Sequence, residues 1–502
     1  MELVCPAGNV DKLEYAYNYG ADTAYIGLKR FSLRIKADNF YDDEYKRVIE
    51  LKKKFPKKRL FCALNISFHN HDMDQFYKNL DYFHQYPIDA FIVQDLGMVR
   101  LLQKEFPGVH LHLSTQASCM NKEAVKMYRD LGFKRVVLGR EVTLEEIREI
   151  KDENPDMELE CFAHGAMCIA YSGRCLMSAY LTGRSAQSGF CSHTCRWDYD
   201  LGTSSSQRLA ELNKKGGKLT EADAKLIAQS GMLRLEEHQR PGEYFPVFEG
   251  DDFTAILSSK DLCMIDHLED MKKAGIDAIK IEGRMKSIYY VAMVTRAYRK
   301  ALDALDGKIS YDEARPFMAA LEEVAHREST TGFYYNRGDA DKTTVGASDS
   351  PYELASTIEE ELDTEKILAA GEKLVADREA EINAMHPNAK AAVLRDLEQH
   401  PEKVVRTVTK REGWKIYKMN PLNKIDEGTD LELVSPDVLS LKLPASDYEF
   451  INPVTGEKRS WVNADHDCAI YTPLKIQAGT LVRMKDAEYV PGKIRDTGRG
   501  NN

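Results

Sequence analysis

Cysteines are concentrated in one stretch of this 502-residue chain, where five of the ten fall between Cys161 and Cys195. Cys168, Cys175, Cys191 and Cys195 are separated by six, fifteen and three residues, and the gaps are rich in glycine and serine. Because such segments bend freely, this loop can fold its thiols around one point. Cys161 lies in the apolar run before the loop, which indicates a strand residue.

Four converging thiolates suit several kinds of site. Clustered cysteines in a reducing compartment more often bind metal or act in catalysis than form disulfides. Zinc sites usually combine two short knuckles, and only Cys191 and Cys195 have the spacing for one. A 4Fe–4S cluster needs no paired knuckles, so one long loop suits it. The spacing favours a cluster and leaves zinc, a disulfide pair or simple packing open, with Cys263 and Cys5 as reserve ligands.

The N-terminus and the hydropathy pattern predict a cytoplasmic protein. Residues 1–3 lead directly into a strand-like run instead of a secretory signal. No run of eighteen apolar residues occurs, so we expect no contact with a membrane. Cytosolic thiols stay reduced, which agrees with a metal-binding role for the cysteine loop.

Short apolar runs alternate with amphipathic helical patterns over residues 1–310. These βα units predict an α/β fold, a closed (β/α)8 barrel of the TIM type, with an open doubly wound sheet as the alternative. The loops that follow the strands form the active site in such barrels, so the cysteine loop after strand seven belongs there. The predicted strands cover residues 3–5, 23–28, 59–66, 90–94, 110–115, 135–138, 158–163 and 278–281.

Composition changes along the chain predict further segments. A helix is expected just before strand eight, at residues 261–274. An acidic helical pattern follows the barrel, and short alternating runs with turn residues then predict a small antiparallel β domain, itself a barrel. We assign residues 1–310 to the (β/α)8 barrel, including the cysteine-rich loop 165–200 and an insertion at 200–257. A helical appendage (311–403), the β domain (404–490) and a disordered tail (491–502) follow.

Polar residues lie at the carboxyl ends of six of the predicted strands, the ends that form the mouth of a (β/α)8 barrel. A helix cap or a surface ion pair explains any single one equally well. Their placement after six different strands favours a shared site. The residues are Asn65, Gln94, Asp95, Ser114, Thr115, Gln116, Arg140, Glu141, His164, Lys280, Glu282 and Arg284.

Individual residues of this set suggest distinct roles. His164 is a candidate proton donor or substrate contact, and a satisfied buried histidine is the structural alternative. Glu282 and Arg284 flank a glycine, so they form an ion pair with each other or Arg284 binds a carboxylate through its planar fork. Tyr171 and Arg174 lie between the cysteines and are candidates to stack on a base or bind a phosphate.

The charge balance is acidic, with 80 acids against 69 bases and a formal net charge of −11. A nucleic-acid-binding protein usually shows a basic surface, so the total argues against RNA unless basic residues gather on one face. Much of the acid lies within residues 350–400. Basic residues in the predicted β domain are candidates for phosphate contacts, namely Lys415, Lys418, Arg459 and Lys475.

Several motifs occur in a fixed order along the first two thirds of the chain. They are PAGN (6–9), STQAS (114–118), E-x-F-x-H-G-A-x-C-x4-G-R-C-x2-S (160–178), SSKDL (258–262) and KIEGRMKS (280–287). In these motifs the chain resembles peptidase family U32, once called collagenase-like proteases. The resemblance covers roughly residues 1 to 340.

The resemblance implies a function and a cofactor. Members of this family resemble iron–sulfur proteins that hydroxylate RNA bases or quinone precursors without oxygen. In the branch with the C-x6-C-x15-C-x3-C pattern, all four cysteines ligate a 4Fe–4S cluster, which implies that role for Cys168, Cys175, Cys191 and Cys195. The most similar branch converts the wobble uridine of tRNA to 5-hydroxyuridine with prephenate as the hydroxyl donor. The implied partners are tRNA, a small carboxylate donor and iron–sulfur assembly proteins.

The resemblance also falls on residues of the predicted barrel mouth. It implies catalytic roles for Gln116, His164, Glu282 and Arg284. We expect the remaining residues to contact substrate, namely Asn65, Gln94, Thr115, Arg140, Tyr171, Arg174 and Lys280.

Other functions stay open at this point. The family name raises peptidase activity, but the chain has neither an H-E-x-x-H nor a G-x-S-x-G motif. Cys168 and His164 could form a nucleophilic pair, although a thiolate bound to iron is not free to attack a peptide. Hydroxylation of rRNA or of a quinone precursor, and a cluster-bearing scaffold without catalysis, are the further alternatives.

Overall fold

The computed structural model describes residues 1–28, 31–32, 40–41, 43–168, 170–182, 185, 187–188, 191, 259–336 and 350–490, together with the backbone of short strands between 234 and 255. The chain divides into two compact units, with residues 1–349 in the first and 350–491 in the second. Cys195, most of the insertion 200–257 and the tail 491–502 lie outside the described residues.

Eight strands of the first unit form a closed parallel barrel. Successive strands β1 to β7 pair in chain order, and β13 pairs with both β7 and β1, which closes the ring. This confirms the predicted (β/α)8 architecture. The barrel strands are β1 (Glu2–Pro6), β2 (Thr23–Ile26), β3 (Arg59–Leu64), β4 (Ala90–Val93), β5 (His110–Leu113), β6 (Arg135–Val137), β7 (Glu158–Ala166) and β13 (Ala278–Ile281). The other described strands of this unit are β8 (Arg234–Glu236), β9 (Tyr244–Pro246), β10 (Phe248–Glu249), β11 (Thr254–Ala255), β12 (Asp261–Cys263) and β14 (Ser329–Thr330).

Helices cover the outside of the barrel and start at polar caps. Asn9, Asn121 and Thr143 accept hydrogen bonds from the backbone of the first helical turn, as their residue types predict. The helices are α1 (Val10–Asn18), α2 (Tyr45–Lys54), α3 (Asn70–Lys78), α4 (Leu80–His84), α5 (Leu96–Glu105), α6 (Lys122–Asp130), α7 (Leu144–Glu153), α8 (Met177–Thr182), α9 (Leu268–Lys273), α10 (Ile288–Leu305) and α11 (Tyr311–Ala319), with 3-10 turns at Thr115–Ala117, Ile265–His267 and Ala320–Glu323.

The segment before β13 differs from the prediction. Residues 261–274 were expected to be one helix, but β12 pairs antiparallel with the end of β7, and only α9 is α-helical. The reason is the length of β7, because its last residues extend past the barrel and offer an edge to β12. Pairing with this edge overrides the local helical pattern.

The second unit is an antiparallel sheet with a helical hairpin. Its largest sheet has the order β19-β18-β24-β15-β16-β23-β20-β21. Its elements are β15 (Tyr352–Leu362), α12 (Thr364–Ala384), α13 (Pro387–Gln399), a 3-10 turn (Pro401–Lys403), β16 (Lys415–Pro421), β17 (Ile425–Asp426), β18 (Leu431–Val434), β19 (Leu441–Leu443), a 3-10 turn (Ala445–Asp447), β20 (Glu449–Ile451), β21 (Lys458–Arg459), β22 (Trp461–Val462), β23 (Cys468–Thr472) and β24 (Leu481–Lys485).

Two expectations about this unit are corrected. The helical prediction for residues 350–362 is wrong, because β15 pairs on both sides, with β16 and β24, and its residues Ala355 and Ile358 belong to the core. The run of glutamates at the end of β15 favoured a helix in the sequence, and in the structure these glutamates are exposed. The expected barrel is an open sheet, since β19 and β21 do not pair with each other among the described residues.

No helix in the described part of the chain combines the length and the apolar character needed to cross a membrane.

Candidate active site

A cavity of about 90 Å³ lies inside the carboxyl-terminal end of the barrel. By this measure one water molecule needs about 10–15 Å³, so the space holds several waters or a small polar ligand. The (β/α)8 fold places active sites at this end of the barrel. Many of the predicted site residues meet in the wall, namely Asn65, Ser114, Thr115, Gln116, Arg140, Lys280, Glu282 and Arg284.

The cavity wall carries more positive than negative side chains. Arg140, Lys280 and Arg284 supply three cations, and Glu282 supplies one carboxylate. Among the described residues, the Nε atom of Arg140 is buried without a hydrogen-bond partner in the protein. A buried donor of this kind needs an acceptor, so the wall suits a small anionic ligand.

Arg284 is held in place by close packing around its backbone and guanidinium group. Its Nη2 atom donates a hydrogen bond of 2.7 Å to Oγ of Ser32, and only 3% of the residue is exposed. A Cβ atom at Gly8 would overlap the carbonyl oxygen of Arg284, and one at Gly27 would overlap its Nη1 atom. Both glycines are therefore needed for the backbone to approach this arginine.

Lys280 reaches the cavity from β13 and is paired inside the barrel. Its Nζ atom donates a hydrogen bond of 2.7 Å to Oε1 of Glu160, whose Oε2 atom accepts one of 2.9 Å from Nη1 of Arg135. Burial by itself would raise the pKa of Glu160, but the charges of Lys280 and Arg135 outweigh burial and lower it to about 2. Glu160 is therefore ionised at neutral pH.

Thr115 and Gln116 stand on the 3-10 turn after β5. The Oγ1 atom of Thr115 donates a hydrogen bond of 2.9 Å to the carbonyl oxygen of Leu138, which ties the ends of β5 and β6 together.

The guanidinium carbon of Arg140 lies 4.0 Å from the ring centroid of Phe162, so the cation stacks on an aromatic face. This stacking orients Arg140 in the cavity wall.

Described residues of the cysteine loop contact the segments that follow β3, β5 and β6. Oε1 of Glu141 accepts a hydrogen bond of 2.8 Å from the backbone nitrogen of Ser172, and the backbone nitrogen of Arg140 donates one of 3.3 Å to Oγ of Ser172. Gly173 has a positive φ of 77°, and a Cβ atom there would overlap the carbonyl oxygen of Gln116. Close contact between loop and barrel therefore requires glycine at this position.

Gln187 links the cysteine loop to the segment that follows β3. The backbone nitrogen of Ser67 donates a hydrogen bond of 2.9 Å to the carbonyl oxygen of Gln187. Nε2 of Gln187 in turn donates one of 2.6 Å to the carbonyl oxygen of Cys175. The backbone around Cys175 is thereby linked to the barrel mouth.

Three of the predicted ligand cysteines are described, and all three are free thiols. Cys168 is exposed, and Cys175 and Cys191 are partly exposed. Among the described residues, no group of three histidine, cysteine, aspartate or glutamate side chains is placed to hold a metal ion. The donor chemistry of these thiols suits an iron–sulfur cluster, but their described positions do not form a site, and Cys195 lies outside the described residues.

Both reserve cysteines contact residues of α10. Sγ of Cys5 is buried and accepts a hydrogen bond of 3.2 Å from Oγ1 of Thr295 on α10. Burial raises the pKa of the Cys5 thiol to about 12. Cys263 stands on β12, 3.9 Å from the hydroxyl oxygen of Tyr298, rather than on a helix as expected.

His164 does not line the cavity. Its ring packs against Tyr290 and Tyr298 of α10, with centroids 6.1 Å and 5.4 Å away, and Nδ1 lies 3.4 Å from the Tyr298 hydroxyl. The register between β7 and β13 shifts here, because Lys280 pairs with Phe162 but the next residue, Ile281, pairs with His164. A bulge of this kind re-aims a side chain, so simple alternation misplaces His164.

Other predicted contacts have structural roles or lie on the surface. Neither Gln94 nor Asp95 lines the cavity. Gln94 donates a hydrogen bond of 2.8 Å to the carbonyl oxygen of Asn65, and Asp95 caps α5. Tyr171 and Arg174 are exposed on the cysteine loop, and Nε of Arg174 donates a hydrogen bond of 3.3 Å to Oγ of Ser118.

Sequence reasoning missed the aromatic residues and the buried acid that shape the cavity. Tyr25 and Phe162 line it, and Glu160 pairs with Lys280 beneath it. The sequence indicates two of them, because Glu160 and Phe162 alternate along predicted strand seven within the motif at residues 160–178 and therefore share one face. Tyr25 and Ser32 carried no such signal.

The barrel, the cavity at its carboxyl end and the cysteine loop across that end define the class of (β/α)8 barrel enzymes. Residues 8–344 match the family described as peptidase family U32. The chain belongs to this family, as its motifs predicted.

Named relatives cover different parts of the chain. It is 38% identical over 337 residues to tRNA hydroxylation protein P of Escherichia coli (strain K12), covering 66% of this chain and 74% of that protein. It is 32% identical over 454 residues to tRNA hydroxylation protein P of Helicobacter pylori (strain J99), covering 89% of this chain and 96% of that protein. It is 32% identical over 359 residues to the 23S rRNA 5-hydroxycytidine C2501 synthase of Escherichia coli (strain K12), covering 70% of this chain and 47% of that protein.

Proposed function

We propose that this protein hydroxylates an RNA base, and that its substrate is the wobble uridine of tRNA, which becomes 5-hydroxyuridine without oxygen. The observation that carries the proposal is the cationic cavity at the active-site end of the barrel, next to the attached cysteine loop. The relatives support the choice of reaction, because two are named for tRNA hydroxylation and one for a hydroxylated rRNA base.

A small carboxylate is the proposed hydroxyl donor, and prephenate fits this chemistry. Replacing the hydrogen on a uracil carbon by a hydroxyl group is a two-electron oxidation, so the donor that loses the hydroxyl accepts two electrons. Arg284 presents a planar fork that matches a carboxylate, and Arg140 and Lys280 add two further cations to the wall. Glu282 completes the wall as the acceptor for a donor hydroxyl or a base N–H.

Cys168, Cys175, Cys191 and Cys195 are the proposed ligands of a 4Fe–4S cluster. When bound, the cluster supplies a redox centre to the site. The attachment of the loop to Ser67, Glu141 and Gln116 supports this proposal, because it links the backbone around Cys175 to the mouth of the barrel.

Exposed side chains of the cysteine loop are proposed to meet the RNA. Tyr171 is 60% exposed and Tyr180 is 88% exposed, and Arg174 and Leu176 are exposed beside them. Unstacked bases bind aromatic faces and arginine planes, so this surface suits a single-stranded loop. The target base must leave its stack to enter the cavity, which costs less in an anticodon loop than in a duplex.

Peptidase activity is the weaker candidate. A cysteine nucleophile needs a histidine within hydrogen-bond reach. His164 instead packs between tyrosines of α10, and burial lowers its pKa to about 4.

Anaerobic assays with purified protein test the proposal. We expect brown protein with about four irons and four sulfides per chain, and alanine at Cys168, Cys175 or Cys191 should remove the colour. With prephenate, this protein should form 5-hydroxyuridine in tRNA that lacks it, and chelation of the iron should stop the reaction. Colourless zinc protein, or 5-hydroxycytidine formed in rRNA instead, would contradict the assignment.

A further inference from the structure

Charged residues occupy the interior of the barrel beneath the cavity. Glu160 is fully buried, and Lys280 and Arg135 are exposed by 4% and 1%. Interiors of (β/α)8 barrels are usually filled by bulky apolar side chains. Removing charges from water costs free energy unless each charge is paired and hydrogen-bonded. Burial of these three charged side chains therefore suggests a functional role.

The two oxygens of Glu160 bind different cations. Oε1 accepts the hydrogen bond from Lys280, and Oε2 accepts the one from Arg135. Arg135 is held in turn by Glu2 at 2.5 Å and by Glu158 at 2.8 Å. Rotation of the Glu160 carboxylate would break both of its bonds, so its orientation is fixed.

This fixed carboxylate determines where the Lys280 ammonium lies. The Nζ atom stands 4.5 Å from the ring centroid of Tyr25, at the cavity wall. A lysine side chain has a long flexible stem and three donors, of which one goes to Glu160. Holding the ammonium in advance reduces the ordering cost when a ligand binds.

We infer that Glu160 is a positioning residue, which holds the Lys280 ammonium in the cavity wall as a binding group for a carboxylate ligand. The inference rests on the proposed function, because it takes the small carboxylate donor as the ligand. It adds a buried acid, 120 positions away from its partner in sequence, to the residues that determine binding.

A double-mutant cycle on the holoenzyme tests this inference. Prephenate and malonate are titrated calorimetrically into wild type, Glu160→Gln, Lys280→Met and the double variant, and thermal unfolding is recorded for each. Each single change should weaken binding about ten- to hundredfold, the range for one hydrogen bond to a charged group. The double variant should be no weaker than Lys280→Met, because Glu160 acts only through that lysine.

Glu158→Gln is the matched control. Glu158 also binds Arg135, but in the described part of the chain Lys280 binds Glu160 instead, so affinity should stay at the wild-type value. Should Glu160→Gln fail to fold, Glu160→Asp keeps the charge but withdraws it by one methylene, and the same loss of affinity is expected.

The possible outcomes separate the two claims. Independent effects that multiply in the double variant, or an equal loss in Glu158→Gln, would overturn the positioning role and leave the proposed function intact. Wild type that binds malonate but not prephenate would contradict the proposed donor, while the variants still decide the role of Glu160. Wild type that binds neither carboxylate contradicts both.

Discussion

Alternate residues of β7 point to different sides of the barrel wall. Glu160 and Phe162 point inward, toward Lys280 and Arg140, but His164 packs outward against Tyr298. The difference comes from the one-residue shift between β7 and β13. His164, although it belongs to the motif at residues 160–178, therefore packs between the barrel and α10.

The buried position of His164 predicts a pH dependence of stability. Burial lowers the pKa of His164 from 6.5 to about 4, so the unfolded chain binds more protons than the folded one between these values. Its contribution is complete above about pH 6.5 and is lost as pH falls toward 4. In His164→Gln, the free energy of unfolding should depend less on pH in this window.

Denaturant unfolding at pH 7, 6 and 5 checks this expectation. The exposed His71 on α3 supplies the control, and His71→Gln should retain the wild-type dependence. The same slope in His164→Gln as in wild type would show that this histidine is not the titrating group.

At the scale of elements, the cysteine loop needs glycine at position 173 for its fit to the barrel. Gly173→Ala introduces a Cβ atom onto the carbonyl oxygen of Gln116, so the loop must move. We expect loss of iron and of hydroxylation in this variant, because the loop carries the proposed ligands. Iron content per chain and nucleoside analysis of tRNA measure the two effects.

Gly108→Ala separates this contact from backbone strain. Gly108 has a φ of 91°, comparable to Gly173, but a Cβ atom there meets nothing within 4 Å. Both variants therefore carry the strain of a positive φ, and only one pushes on the barrel. Equal iron contents in the two variants would contradict the proposed attachment.

The strands of the second unit change the expected RNA contacts. The Nζ atoms of Lys415 and Lys418 lie 3.4 Å and 2.8 Å from carboxylate oxygens of Glu361 and Glu359 on β15. Both lysines were predicted to contact phosphate, and β15, which carries their acidic partners, was not predicted as a strand. A paired ammonium contributes less to phosphate binding than an unpaired one.

Salt dependence of tRNA binding distinguishes the basic residues of this unit. We propose that Arg459 and Lys475 contact phosphate, so alanine at both should reduce the slope of log K against log salt by about two. The double change at Lys415 and Lys418 removes the same charge and should alter the slope less. An equal effect of both double variants would overturn this ranking.

At the scale of the whole molecule, local patterns predicted most of the architecture. The eight strands, caps such as Asn9 and Thr143, and the polar strand ends that meet in the cavity all follow from short stretches of sequence. Pairings between segments that are distant in sequence could not be predicted from such local patterns. The contact of Glu160 with Lys280, the shift at His164 and the insertion of β15 into the sheet each depend on residues far apart in the chain.

Arg284 offers the most direct test of the central claim, that the cationic cavity is where an RNA base is hydroxylated. Arg284→Lys keeps the charge but loses the planar fork. Nucleosides of tRNA are measured by mass spectrometry in a deletion strain that carries wild type, Arg284→Lys or the control Arg299→Lys, whose arginine pairs with Asp22 and Asp303 on the outside of the barrel.

The expected result is wild-type 5-hydroxyuridine with Arg299→Lys and a loss of about tenfold or more with Arg284→Lys, at similar protein levels. Unchanged 5-hydroxyuridine in all three strains, or in the deletion strain itself, would contradict the account.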